Sequence, residues 1–186
     1  MIKTERLVLR PLELHDYENW KQAYSMLRAP QNEWDEGAWR DGELTLSKFK
    51  KTLKTEKSQR HLDSSYSFGI FRKDDGVLVG QVTLMDISRG IFQNAYLGYR
   101  IFNNYWNSGF ATEACEGAVL YAFKILKLHR VEAGISPANK VSVKVAKKIG
   151  LRKEGLSLRR LQVNGKWQDM LVYAATCEDF GRKFKK

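Results

Sequence analysis

The 186 residues predict a mixed α/β (α+β) fold, and three observations carry that prediction. The turn dipeptides Asp75-Gly76 and Asn164-Gly165 each stand between runs rich in β-branched and aromatic residues, which is how antiparallel hairpins are written. Apolar residues at helical spacing occupy four other stretches. The resulting order is strand, two helices, three strands, helix, strand, helix, two strands, with no internal repeat and no low-complexity segment.

"RLVLRPL" (6 to 12) opens the chain as a strand, and Pro11, which has no N–H for a ladder, marks its end. Residues 15 to 28 and 44 to 57 follow as helices, the second set by Leu44, Leu46, Phe49 and Leu53 recurring among lysines. Between them "APQNEWDEGAWRDGE" (29 to 43) is turn-rich and aromatic, a loop expected to face a ligand. Strands are expected at 65 to 71 and 77 to 87 around "RKDDG", and "RGIFQNAYLGYRIF" (89 to 102) reads as a turn and a further strand. A helix from Ala111 to about Leu126 precedes the strand "HRVEAGIS" (129 to 136), which Pro137 closes. "NKVSVKVAKKIG" is a second helix with Gly150 as its C-cap, and a last hairpin runs from 157 to 176.

The length suits one domain over residues 1 to 186, able to bury roughly two thirds of its unfolded surface without staples. Cys115 and Cys177 lie far apart in apolar company and in no Cys/His cluster, so two buried, reduced thiols are expected and no metal. The N-terminal "MIKTERLVLRPL" carries charges inside any signal core, and no run of about eighteen apolar residues occurs, so a soluble, cytoplasmic protein without a membrane partner is expected. The formal charge of +11 favours phosphate-rich ligands, nucleic acid or acidic surfaces. The basic run "KFKKTLKTEKSQR" reads first as a solvated helix face.

"YWNSGFATEAC" (105 to 115) concentrates small residues between a strand and a helix. In a strand, glycine turn, helix sequence the first N–H groups of the helix lack partners and, with the helix dipole, bind an anion. Many such turns bind nothing, so the turn alone leaves the choice open.

The wider pattern resembles the GNAT superfamily of N-acetyltransferases, and within it the RimJ/RimL branch that acetylates protein N-termini. Four blocks agree in order: "TERLVLRPL", "YLGYRI" with "YWNSGFATEA", "SPANKVSVKVAKKIGLRKEG" and "VNGKWQDMLVYA". "RGIFQNAYLGYRI" most resembles the RimJ type, which acts on the N-terminus of a ribosomal protein. The resemblance implies a single GNAT domain with a mixed, mostly antiparallel central sheet flanked by helices, and a splayed strand pair holding acetyl-CoA.

It also implies residue roles. The family's pyrophosphate loop falls on Trp106, Asn107, Ser108, Gly109, Phe110 and Ala111, so amides from 107 to Thr112 are expected to hold the diphosphate. Backbone from Leu97 through Tyr99 to Ile101 is expected to pair with pantetheine. The family's Asn-x-x-Ser falls on Asn139, whose amide contacts the cofactor, and Ser142, whose hydroxyl lies near its sulfur. A tyrosine acid common in relatives is replaced by Ala146, leaving Ser142 as the acid candidate. Tyr96 stands where many members carry a basic glutamate, and Leu161 where RimL-type relatives have one, so Tyr96 and the neighbouring strand residue Glu132 are the remaining candidates on the base side. Glu113 is expected to complement the helix dipole.

Substrate choice has an energetic side. With reference pKa values near 8 and 10.4, about one α-amine in five is neutral near pH 7.4 against roughly one lysine in a thousand. A site without a strong base therefore favours a protein N-terminus, including one on a ribosome. A small amine such as a polyamine, amino acid or aminoglycoside is the alternative, and the acidic residues Glu33, Asp35, Glu36, Asp41 and Glu43 suit either acceptor. A basic RNA-binding module is the third reading, but no nucleic-acid motif accompanies the charge, and Phe68, Phe71, Tyr96 and Tyr99 are placed as strand core residues.

Overall fold

The structure, a computed structural model, describes residues 1–35, 37–163 and 165–184. Its strands are β1 (Ile2–Lys3), β2 (Leu7–Arg10), β3 (Tyr66–Arg72), β4 (Leu78–Ser88), β5 (Asn94–Ile101), β6 (Arg130–Ile135), β7 (Arg152–Val163) and β8 (Lys166–Thr176). The α-helices are α1 (Tyr17–Ser25), α2 (Leu46–His61), α3 (Phe110–Lys124) and α4 (Lys140–Lys148). The strands form one sheet in the order β1-β2-β3-β4-β5-β6-β8-β7. Every neighbouring pair is antiparallel except β5 and β6, so the sheet is mixed and mostly antiparallel as expected.

Each face of the sheet buries its own cluster. On one, Leu7, Leu9, Ile70, Val79, Leu84 and Leu97 meet α3 through Ala114, Cys115, Ala118, Val119 and Ala122. The small residues let α3 lie close: a Cβ at Gly117 would stand 3.1 Å from Thr4 Cγ2. On the other face Leu12, Trp20, Tyr24, Leu44, Phe49, Phe71 and Phe102 form an aromatic cluster under α1 and α2, with the Trp20 and Phe49 rings 5.0 Å apart. Phe68 and Phe71 serve opposite clusters because residues three apart in a strand point to opposite faces of the sheet. Cys115 and Cys177 are both buried and free.

Three boundaries differ from expectation for local reasons. The first helix starts at Tyr17, since Asp16 is spent on a 3-10 turn, where its carboxylate accepts from the Glu13 N–H at 2.8 Å and from both terminal nitrogens of Arg10 at 2.6 Å. β7 begins at Arg152, five residues before the expected hairpin, and its irregular register at Lys153/Gly155 and Ser157/Leu161 hides the alternation that would have revealed it. β1 was not expected because two residues carry no period. Of the final turn, Asn164 lies outside the described residues. α2 buries only Phe49 on its own account, so its lysines are a solvated face, and Thr45 caps it by accepting from the Lys48 N–H at 3.2 Å.

Gly80 lies where the backbone of β5 comes close to β4: a Cβ there would run into the Arg100 carbonyl oxygen and stand 3.0 Å from Ile101 Cα. Gly80→Ala is expected to lower stability by about 2 kcal/mol through overpacking, or ~6 °C in Tm, measured by thermal denaturation. An unchanged Tm would contradict this close approach.

Candidate active site

β5 and β6 pair in parallel only at Asn94↔Arg130, Ala95↔Val131 and Tyr96↔Glu132. Beyond Tyr96, β5 continues on β4 as far as Ile101↔Gly80, while β6 continues on β8 as far as Ile135↔Leu171. Each strand is held straight by its outer neighbour, and their facing edges separate. The opening leads into a cleft of about 210 Å³ bounded by Leu97, Gly98 and Tyr99 on one side and Ala133 to Ser136 on the other. Asn139, Ser142 and Ala146 of the α4 segment close its back, and Trp34, Leu161, Gln168 and Met170 line it further out.

Asn139 caps α4, its side-chain oxygen accepting from the Ser142 N–H at 3.0 Å. That bond consumes the amide oxygen and leaves the NH2 group for the cleft. The Ile101 carbonyl is already taken by the Trp106 indole N–H at 2.7 Å, so Trp106 closes the far end of the β5 edge. Tyr99 places its ring in the cleft wall, its hydroxyl wholly buried without a completed hydrogen bond. Burial pushes this phenol well above its usual pKa, and the neighbouring Ser142 hydroxyl offsets only part of the shift.

The turn after β5 ends in α3. Asn107 (φ 63°) and Gly109 (φ 78°) are both left-handed, and Gly109 is the N-cap with no side-chain bond to the helix. The first N–H groups of α3 therefore point out of the helix with no capping acceptor, an anion cradle reinforced by the helix dipole. Arg6 of the β1–β2 segment braces this turn. Its Nη1 donates to the Ser108 carbonyl at 2.9 Å, its Nε to Glu113 at 2.8 Å, and its guanidinium lies 5.0 Å from the Phe110 ring centre. Glu113 also accepts from the Thr4 hydroxyl at 2.6 Å and the Arg6 N–H at 2.7 Å. Burial alone would raise the Glu113 pKa, but these three donors outweigh it and hold the carboxyl below its ordinary value. Glu113 thus anchors the N-terminal segment to α3 as well as complementing the dipole. Arg6 and Thr4 were missed by sequence reasoning, although "TERLVLRPL" was singled out, because their partners lie over a hundred residues away.

The candidates on the base side form a separate group at the apex of the opening. Glu132 accepts from Arg130 Nε at 2.8 Å and Asn94 Nδ2 at 3.1 Å, with Arg160 at 3.7 Å. The Tyr96 hydroxyl accepts from Arg160 Nη2 at 2.7 Å. Both are committed to arginines and neither lines the cleft. In the 29 to 43 loop Asp35 accepts from Asn103 Nδ2 and the Gln31 N–H, both at 2.9 Å, and Glu43 accepts from the Arg40 N–H at 3.1 Å. Glu36 and the Asp41 side chain lie outside the described residues.

Residues 6–152 match the family model described as the acetyltransferase (GNAT) domain. The chain belongs to the GNAT acetyltransferases. It is 35% identical over 184 residues to the probable N-acetyltransferase YjcK of Bacillus subtilis (strain 168), covering 94% of this chain and 96% of that protein. It is 29% identical over 181 residues to the ribosomal protein uS5-alanine N-acetyltransferase of Escherichia coli (strain K12), covering 96% and 92%. Among solved structures, Mycobacterium smegmatis RimJ in complex with CoA-disulfide superposes with a TM-score of 0.81 at 25% identity, covering 98% of this chain and 90% of that one. The protein is accordingly an N-acetyltransferase, and acetyltransferases of this family use acetyl-CoA. No helix among the described residues is long and apolar enough to cross a membrane.

The Glu113 anchor sets a pH dependence. A carboxyl held below the ordinary 4.5 stabilises the fold above that pH and loses its contribution as pH falls through the folded value. Glu113→Gln is expected to cost about 1.5 kcal/mol at pH 7, with the gap to wild type closing as pH falls below the ordinary 4.5 and through the lowered folded value, in paired thermal melts. A gap that stays constant down to pH 3 would refute the charged anchor.

Proposed function

We propose that the chain transfers an acetyl group from acetyl-CoA to the N-terminal α-amine of a protein, a ribosomal protein being the foremost candidate. The observation that carries the cofactor part is the continuity of two features: the unpaired edges of β5 and β6, and the uncapped start of α3 one short turn beyond β5. Amides from 107 to Thr112 would hold the diphosphate, with Gly109, Phe110 and Ala111 at the centre of the turn. The Leu97 to Tyr99 edge and the Asn139 amide would hold the pantetheine. An orphaned buried hydroxyl and a narrow, largely apolar cleft fit a thioester arm. When bound, acetyl-CoA supplies an activated acyl group whose carbonyl carbon the amine attacks.

Within this reading the chain has three tasks. Backbone N–H groups at the strand opening donate to the carbonyl oxygen as negative charge develops there. The Ser142 hydroxyl donates to the sulfur as the C–S bond breaks and the C–N bond forms. The amine loses a proton and the thiolate gains one. Glu132 and Tyr96 are the acceptors on the amine side, reached through water because both already hold arginines.

Two observations support an N-terminal acceptor. The described residues lining the cleft are apolar or neutral, whereas a polyamine needs carboxylates to meet its charges. The E. coli relative matched along nearly the whole chain is named for acetylating an alanine of ribosomal protein uS5. The test offers acetyl-CoA with peptides bearing free N-terminal alanine or serine, and with spermidine or an aminoglycoside in parallel. Acetylation is expected at the peptide α-nitrogen, abolished by blocking that amine and unaffected by blocking internal lysines. Turnover of the small amines with none on any peptide would assign the protein to the small-molecule class.

A further inference from the structure

Tyr99, in the cleft wall, carries a polar group that the proposed chemistry has not used. The Tyr99 hydroxyl is buried and makes no completed hydrogen bond, although its ring lines the cleft together with Ser142. Leaving a hydroxyl buried and unpaired costs about 1–3 kcal/mol, and phenylalanine would fill the same volume without that cost. The Ser142 hydroxyl, which borders the same cleft and already bears on the ionisation of the phenol, is the resident group that can complete the bond. Ser142 and Ala146 lie one helical turn apart on the face of α4 that lines the cleft, and the small Ala146 side chain leaves space beside the serine. Ser142 sits in the first turn of α4, its backbone N–H fixed by Asn139, so its hydroxyl remains free to rotate toward the cleft.

We infer that Tyr99 is a positioning residue for acyl transfer: its phenol donates to the Ser142 oxygen and thereby turns the serine proton toward the sulfur of the thioester. This inference rests on the proposed cofactor site. No proton leaves the phenol. Burial keeps it neutral, a permanent donor, and the serine oxygen that accepts from it becomes a better-directed donor itself. As the carbon–sulfur bond breaks, electron density builds on sulfur, and the Ser142 hydrogen bond strengthens there and not in the ground state.

The test uses Tyr99→Phe, Ser142→Ala and the double variant in the full-length protein. Calorimetry measures acetyl-CoA binding, release of free thiol measures turnover with an alanine-terminated peptide, and melting measures stability. Tyr99→Phe is expected to retain wild-type acetyl-CoA affinity and KM, keep or raise Tm, and lower kcat about tenfold. The double variant is expected to be no slower than Ser142→Ala alone, since the phenol acts through the serine. Unchanged kcat in Tyr99→Phe, or losses that multiply in the double variant, would overturn the inference while leaving the cofactor site intact. Failure of the wild type to bind acetyl-CoA would instead remove the cofactor site, and this inference with it.

Discussion

The arrangement depends on where β5 stops pairing with β6. Three parallel residue pairs join them, after which β4 carries one strand away and β8 the other. Backbone N–H and C=O groups inside a protein require partners, and a sheet interrupted at its centre exposes two edges together. A single continuous ladder would have been more stable locally and would have left no site. The fold supports the gap by making each arm strong: six antiparallel pairs run from Gly80↔Ile101 to Met85↔Tyr96, and six from Arg130↔Thr176 to Ile135↔Leu171.

The second requirement is a turn that stays open beside that gap. Two left-handed residues, Asn107 and Gly109, turn the amides outward, and Arg6 holds the Ser108 carbonyl in place. The Arg6–Glu113–Thr4 cluster explains why "TERLVLRPL" and "FATEA" belong together: the first stretch supplies the brace and the second its anchor. A guanidinium at the rim also adds positive charge to the dipole of α3, so shape and electrostatics favour the same kind of ligand.

Much of this was legible in the sequence. Gly109 before a helical pattern, Asp75-Gly76 between strands and Pro137 after β6 are local signals with local causes, and the structure places turns or element ends at each. The illegible parts are tertiary. Nothing near Arg6 announces Glu113, and nothing in "LGYRIF" distinguishes a core tyrosine from one whose ring lines a cleft. Of the acidic residues in the 29 to 43 loop, Asp35 and Glu43 bind the loop's own backbone and Asn103, which no local pattern announces. Glu132 and Tyr96 are likewise close to the opening by register, yet their arginine partners come from Arg130 on the same strand and Arg160 on the distant edge strand.

Backbone amides carry the central claim, so hydrogen exchange reads it most directly. On adding acetyl-CoA, amides at 97 to 100, 107 to 112 and 133 to 135 are predicted to slow together, while those of α2 and the outer part of β7 keep their rates. Binding that protects some other surface and leaves these three segments unchanged would contradict the account.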